Sequence, residues 1–219
     1  MRATWRLLVA GVIGFAPLAA AQSLPLRPEA ANPPSTSLIR DIDGERSDVR
    51  FELRILLRHL EGRFLSLHGN LRIDETVQRA DIAVSIDSNS VWMAKESNAE
   101  YARSGEFFDA AHHPQIRFQA TAVPLSLFRE GGEMPGRVTL RGVTRPLTLS
   151  VDPASCERPG DDCDVIARGT VDRSDFGMTS KTLFVGKRVE LSFRIRLRET
   201  PAPETPATVS PTPGREHRP

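Results

Sequence analysis

Five histidines, His59, His68, His112, His113 and His217, are the side chains best suited to hold a metal or move a proton near neutral pH. None stands at a metal-ligand spacing from cysteines or carboxylates, and adjacent His112 and His113 point to opposite sides of an extended chain, so no metal site is expected. The densest charged cluster is Asp172, Arg173 and Asp175, just before Phe176 and Gly177. Carboxylates beside a guanidinium could serve as acid, base or electrostatic stabiliser for an amphiphilic substrate. The plainer reading is a corner of the chain in which Arg173 pairs with a nearby carboxylate and Phe176 plugs one end of the fold. The sequence has no Gly-x-Ser-x-Gly elbow, no phosphate loop and no paired carboxylates on a recognisable scaffold, so no catalytic residue is assigned and nothing in these residues asks for an enzyme.

Cys156 and Cys163, the only cysteines, flank a turn-like segment containing Pro159, Gly160, Asp161 and Asp162. A redox pair needs tighter spacing at a helix start, so in an exported chain this pair reads as a disulfide pinning a hairpin loop. Export is expected from the N-terminus. Arg2 and Arg6 precede the apolar run Leu7 to Phe15, and an Ala-x-Ala pattern at Ala19 and Ala21 gives a signal peptide over 1–21, cleaved after Ala21. Removing it turns 29 basic and 28 acidic residues into 27 and 28, which argues against nucleic acid as a partner. Residues 22–35 form a Pro- and Ala-containing lead-in, residues 36–199 the folded domain, and residues 200–219 a Pro-rich tail without a core of its own.

The elements that would position a site alternate with period 2. Val49, Phe51, Leu53 and Ile55 alternate with Arg50, Glu52 and Arg54, and Val189, Leu191, Phe193, Ile195 and Leu197 alternate with polar neighbours in the same way. A bent strand pair is expected over 62–74, with Gly62 and Gly69 where the sheet curls, and further strands around Val84 and Ile86 and around Ile116 and Phe118. The stretch 136–151 reads as a hairpin around Gly142 to Pro146, and 165–172 as the next strand. Only 93–104 lacks alternation, and it is expected to hold the one short helical insertion. Phe107 and Phe108 follow it, and two neighbours in an extended segment cannot share a face. About eight one-sided strands joined by short turns give an all-β fold: an eight-stranded antiparallel barrel, with a two-sheet sandwich as the alternative.

Four motifs in order carry a resemblance: Gly62-x-Phe64; Phe107-Phe108-Asp109 leading to His113-Pro114-x-Ile116-x-Phe118; Gly136-x-Val-Thr-Leu-Arg-Gly-Val-Thr-Arg-Pro146; and Asp172-Arg173-Ser174-Asp175-Phe176-Gly177-Met178. Together they resemble the YceI-like family over about Val49 to Arg198. That resemblance implies a lipocalin-like barrel with a helical insertion, a periplasmic location, and an apolar tunnel for a long-chain isoprenoid lipid or isoprenoid quinone, with no other cofactor. Tunnel-lining residues are then expected among Phe51, Leu53, Phe64, Val84 and Ile86, among Phe107, Phe108, Phe118 and Leu140, and among Phe176, Leu191 and Phe193. The chain departs from the family pattern at Ser90-Val91-Trp92 and at Asn98, Ala99 and Ala102, beside the insertion, where Trp92 is expected to cap or narrow the entrance. Transient membrane contact is compatible with this reading, and the oligomeric state is left open, a dimer included. A third reading, an interaction protein tethered by its Pro-rich tail, rests on 200–219.

Overall fold

Alternating apolar and polar residues form the strands of the structure, a computed structural model that describes residues 37–180 and 185–199. The expected signal peptide, lead-in and Pro-rich tail lie outside the described residues. Within them the strands are β1 (Ser37–Asp41), β2 (Asp48–Ile55), β3 (Arg58–Phe64), β4 (Leu67–Asp74), β5 (Arg79–Asp87), β6 (Val91–Trp92), β7 (Gln115–Pro124), β8 (Gly132–Leu140), β9 (Val143–Val151), β10 (Val165–Asp172) and β11 (Val185–Ile195). They pair in the order β1-β4-β5-β7-β8-β9-β10-β11-β2-β3-β6, each neighbour antiparallel. The sheet curls back on itself. Ile42, just after β1, bridges Leu197, just after β11, and the Asp43 and Arg198 amides donate to the Arg196 and Asp41 carbonyls at 2.9 Å.

The count of eleven exceeds the expected eight for identifiable reasons. The bent strand pair expected over 62–74 is present as β3 and β4, with β3 beginning earlier, at Arg58. Edge strands β1 and β6 are additional: β1 exposes four of its five residues and so has no apolar face to betray it. A second helix, α2 (Leu127–Glu130), stands where only a turn was expected, besides α1 (Glu96–Arg103) in the anticipated insertion.

The β8–β9 hairpin turns more tightly than its sequence suggests. Its loop is Arg141 and Gly142 alone, with φ of 51° and 73°, the positive pair that a two-residue I′ turn requires. Pro146 therefore lies inside β9, opposite Arg137. Counting outward from the closing pair Leu140 and Val143, this is a non-hydrogen-bonded position, and β10 pairs with β9 only at Ser150 and Val151, so the missing N–H is not needed.

The core is one cluster of inward side chains from all the long strands. Cys156 and Cys163 form the expected disulfide, in the loop between β9 and β10. That loop packs against the chain closure: the Leu197 amide donates to the Gly160 carbonyl at 2.9 Å, and a Cβ on Gly160, which has φ of 89°, would meet the Leu197 side chain at 2.9 Å.

Candidate functional site

The inward faces of the strands leave three apolar spaces rather than one tunnel. At the disulfide end a chamber of about 230 Å³ is walled by Ile42, Ile82, Val84, Met134, Ala167 and Leu197, with Phe128 of α2 and Pro159 of the disulfide loop at its border. Its rim is charged. Arg40 pairs with Asp161 at 2.6 Å and also donates to the Arg198 carbonyl at 3.0 Å, and Arg129 stands beside the same opening.

Phe118 and Phe193, their ring centroids 6.4 Å apart, separate this chamber from a central void of about 40 Å³. Phe64, Phe108, Ile86, Leu140 and Leu191 line that void with them. Phe51 and Phe107 in turn divide it from a chamber of about 370 Å³ under α1, lined by Leu53, Ile55, Leu60, Met93 and Tyr101, with Ser97 and Asn98 as its polar edge. The interior is thus interrupted twice by aromatic side chains, where a continuous tunnel was expected.

The aromatic partition is built by contacts that the sequence does not show. Phe107 and Phe108 are both buried, with centroids 4.7 Å apart, and Phe108 stacks edge-on to Phe51 at 5.4 Å. Both face inward because the segment after α1 is a compact turn and not a strand: the Phe107 amide donates to the Ser104 carbonyl at 3.0 Å and the Phe108 amide to Ala102 at 2.9 Å. Arg141, at the tip of the β8–β9 hairpin, donates to the carbonyls of Gly105 at 2.8 Å and Phe107 at 2.6 Å. The hairpin turn thereby clamps the aromatic pair. Arg141 does this from a turn position with φ of 51°, and its residue type alone does not mark the contact.

Two expected lining residues lie elsewhere. Trp92 does not line the interior: alternation in β6 turns Val91 inward and Trp92 out, where it is 45% exposed with the Arg63 guanidinium carbon 4.6 Å above its ring. Phe176 is buried in the core but borders none of the three spaces. Tyr101, beside Phe107, has its phenol pushed above the ordinary value by burial, with the charge and hydrogen bond of Glu106 adding to the shift and Arg173 opposing it, so it is protonated at neutral pH.

The charged cluster at the corner after β10 is structural, but not through the ion pair expected for it. Arg173 is 1% exposed and donates to four main-chain carbonyls: Gly186 at 3.0 Å, Ser180 at 2.9 Å, Val185 at 3.1 Å, and Met178. Burial pulls its guanidinium below the ordinary value, its neighbours Tyr101 and Asp172 offset part of that, and arginine remains cationic. Asp172 caps the short helical turn Arg173–Phe176 by accepting from the Ser174 amide at 2.8 Å. Asp172 and Asp175 are exposed and border none of the three chambers. Among the described residues no three His, Cys, Asp or Glu side chains gather as metal ligands.

Comparison with known proteins agrees with this architecture. Residues 41–197 match the family model of the YceI-like domain. Protein YceI of Salmonella arizonae is 32% identical over 162 residues, covering 69% of this chain and 81% of the relative, and Protein YceI of Salmonella newport matches to the same extent. Among solved structures, Burkholderia cenocepacia BcnA superposes with a TM-score of 0.59 at 19% identity, over 70% of this chain and 98% of its own. A polyisoprenoid binding domain from Saccharophagus degradans gives 0.54 at 17% identity, over 71% and 95%. The curled antiparallel sheet is therefore a shared fold, and the chain belongs to the YceI-like family.

Proposed function

We propose that this protein is an exported, periplasmic carrier or store for a polyisoprenoid or isoprenoid-quinone-type amphiphile, held in the apolar interior with its polar end at a charged rim. The observation that carries the reading is the disulfide-end chamber: hydrocarbon walls, a volume of about 230 Å³, and an Arg40–Asp161 pair at the opening. An isoprene unit has five carbons, so at about 0.8 kcal/mol per methylene each buried unit contributes a few kcal/mol before ordering costs. A longer chain requires Phe118 and Phe193 to rotate, joining this chamber to the central void. The polyisoprenoid-binding description of the Saccharophagus degradans structure supports the same ligand class. Binding rather than catalysis is the better reading because Arg173 is committed to main-chain carbonyls and Asp172 to a turn.

Native mass spectrometry of the full chain purified from its own host tests the proposal. A bound species with the mass of a prenyl lipid, released by organic solvent, is expected. Protein found only at its bare mass contradicts it.

A further inference from the structure

Leu56 and Leu57 make up the two-residue turn between β2 and β3, closed by the pair Ile55 and Arg58. They are 63% and 88% exposed, the two most exposed large apolar side chains among the described residues. Leu56 has φ of 53° and Leu57 is not among the positive-φ residues, the pattern of a II′ turn, whose first central position favours glycine. The turn thus places a strained backbone and exposed hydrocarbon at one point, and neither serves the core.

The surroundings are cationic. Arg54 and Arg58 flank the turn, and an irregularity in β11 between Val185 and Val189 sets Lys187 and Arg188 beside the β2 segment that carries Arg54. All four side chains are exposed. Asp172 faces Arg188 across β10 and β11, while Glu52, in contact with His59, and its cross-strand neighbours Glu61 and Glu190 lie farther from the tip. On the inner side of the same hairpin, Ile55 and Leu60 line the 370 Å³ chamber under α1.

We propose that the β2–β3 tip docks this protein on the surface of an anionic phospholipid bilayer, Leu56 and Leu57 entering the acyl boundary and Arg54, Arg58, Lys187 and Arg188 meeting headgroup phosphates. Exposed leucines ringed by cations match an anionic lipid surface on both counts. A second copy meeting tip to tip would set like charges against each other, and a soluble polyanion would leave the leucines in water. Docking places the chamber beside Ile55 next to the lipid. Use of that chamber for loading rests on the proposed lipid-binding function, whereas docking itself does not.

Flotation of the full chain with vesicles of phosphatidylcholine mixed with phosphatidylglycerol, and with vesicles of phosphatidylcholine alone, tests this without any isoprenoid present. Flotation with the anionic vesicles is expected, weakened by salt, and Arg58→Glu should reduce partitioning by at least about fivefold, the effect of one basic residue near a charged bilayer. The double variant Leu56→Asn with Leu57→Ser should lose flotation while melting no lower than the parent, because asparagine tolerates the left-handed backbone. Three results overturn the proposal: no flotation of the parent chain, equal flotation of the double variant, or a dimer that the double variant abolishes with no vesicle binding at all. A chain that floats yet carries no prenyl lipid in native mass spectra would retain the docking surface and refute the carrier function alone.

Discussion

Gly62 faces Phe51 across the β2–β3 ladder so closely that a Cβ at Gly62 would lie 2.3 Å from Phe51 Cζ. Gly136 lies diagonal to Phe118, which pairs with Val138 across β7 and β8, and a Cβ on Gly136 would be 2.6 Å from Phe118 Cζ. Each glycine yields its side-chain volume to an aromatic ring that divides the interior. Gly62→Ala is therefore expected to push the Phe51 ring off its rotamer and to cost about 1–3 kcal/mol. Urea denaturation measures this, and Phe51→Leu in the Gly62→Ala background should recover part of the loss. A neutral Gly62→Ala would contradict the packing.

Arg173→Met removes a guanidinium that satisfies four carbonyls at a buried corner. Unsatisfied buried carbonyls cost about 1–3 kcal/mol each, so a loss of at least about 3 kcal/mol is expected. Arg173→Lys should restore little of it, because an ammonium cannot reproduce the planar fork. Denaturation midpoints of the two variants decide the point. Full rescue by lysine would show that charge alone matters there.

Acid stability should depend on Asp109. Its carboxyl is held below the ordinary aspartate value, first by the hydrogen bond with His112 at 2.8 Å; desolvation opposes this, and the charges of His112, Arg141 and His113 add to the lowering. A carboxyl lowered on folding stabilises fully above its unfolded value of about 3.9, and that contribution is lost as pH falls through the lower folded value. Asp109→Asn should lower the melting temperature at neutral pH and flatten its decline below about pH 4. Melting curves along a pH series check this. Parallel declines would contradict it.

Ala167 is 4% exposed on the wall of the disulfide-end chamber. Ala167→Leu fills space that is otherwise empty, so folding stability should hold within about 1.5 kcal/mol while uptake of a fluorescent prenyl probe falls by at least about tenfold. Unchanged uptake would place the ligand elsewhere.

Much of this was legible from alternation. Val49, Phe51 and Leu53 in β2, and Val189 and Phe193 in β11, face the core as their spacing requires, since one greasy side per strand leaves a single way to bury it. Strand β1 was not legible, because an edge strand with both faces wet carries no such signal. Nor was the chamber at the disulfide end, whose walls Ile42 and Leu197 meet through a bridge between chain segments far apart in sequence. Arg173 stood out as part of a charged cluster, but its partners are main-chain carbonyls between Met178 and Gly186, which side-chain identity does not reveal. Phe107 and Phe108 misled for a related reason: the two-sided rule holds for extended backbone, and theirs is coiled.

A crystal structure of the lipid-loaded protein decides whether the divided apolar interior receives a prenyl chain. Hydrocarbon density is expected to run from the chamber beside Ala167 past rotated Phe118 and Phe193 rings, with the polar end near Arg40 and Asp161. Density confined to the outer surface, with both rings unmoved and the chamber empty, would contradict it.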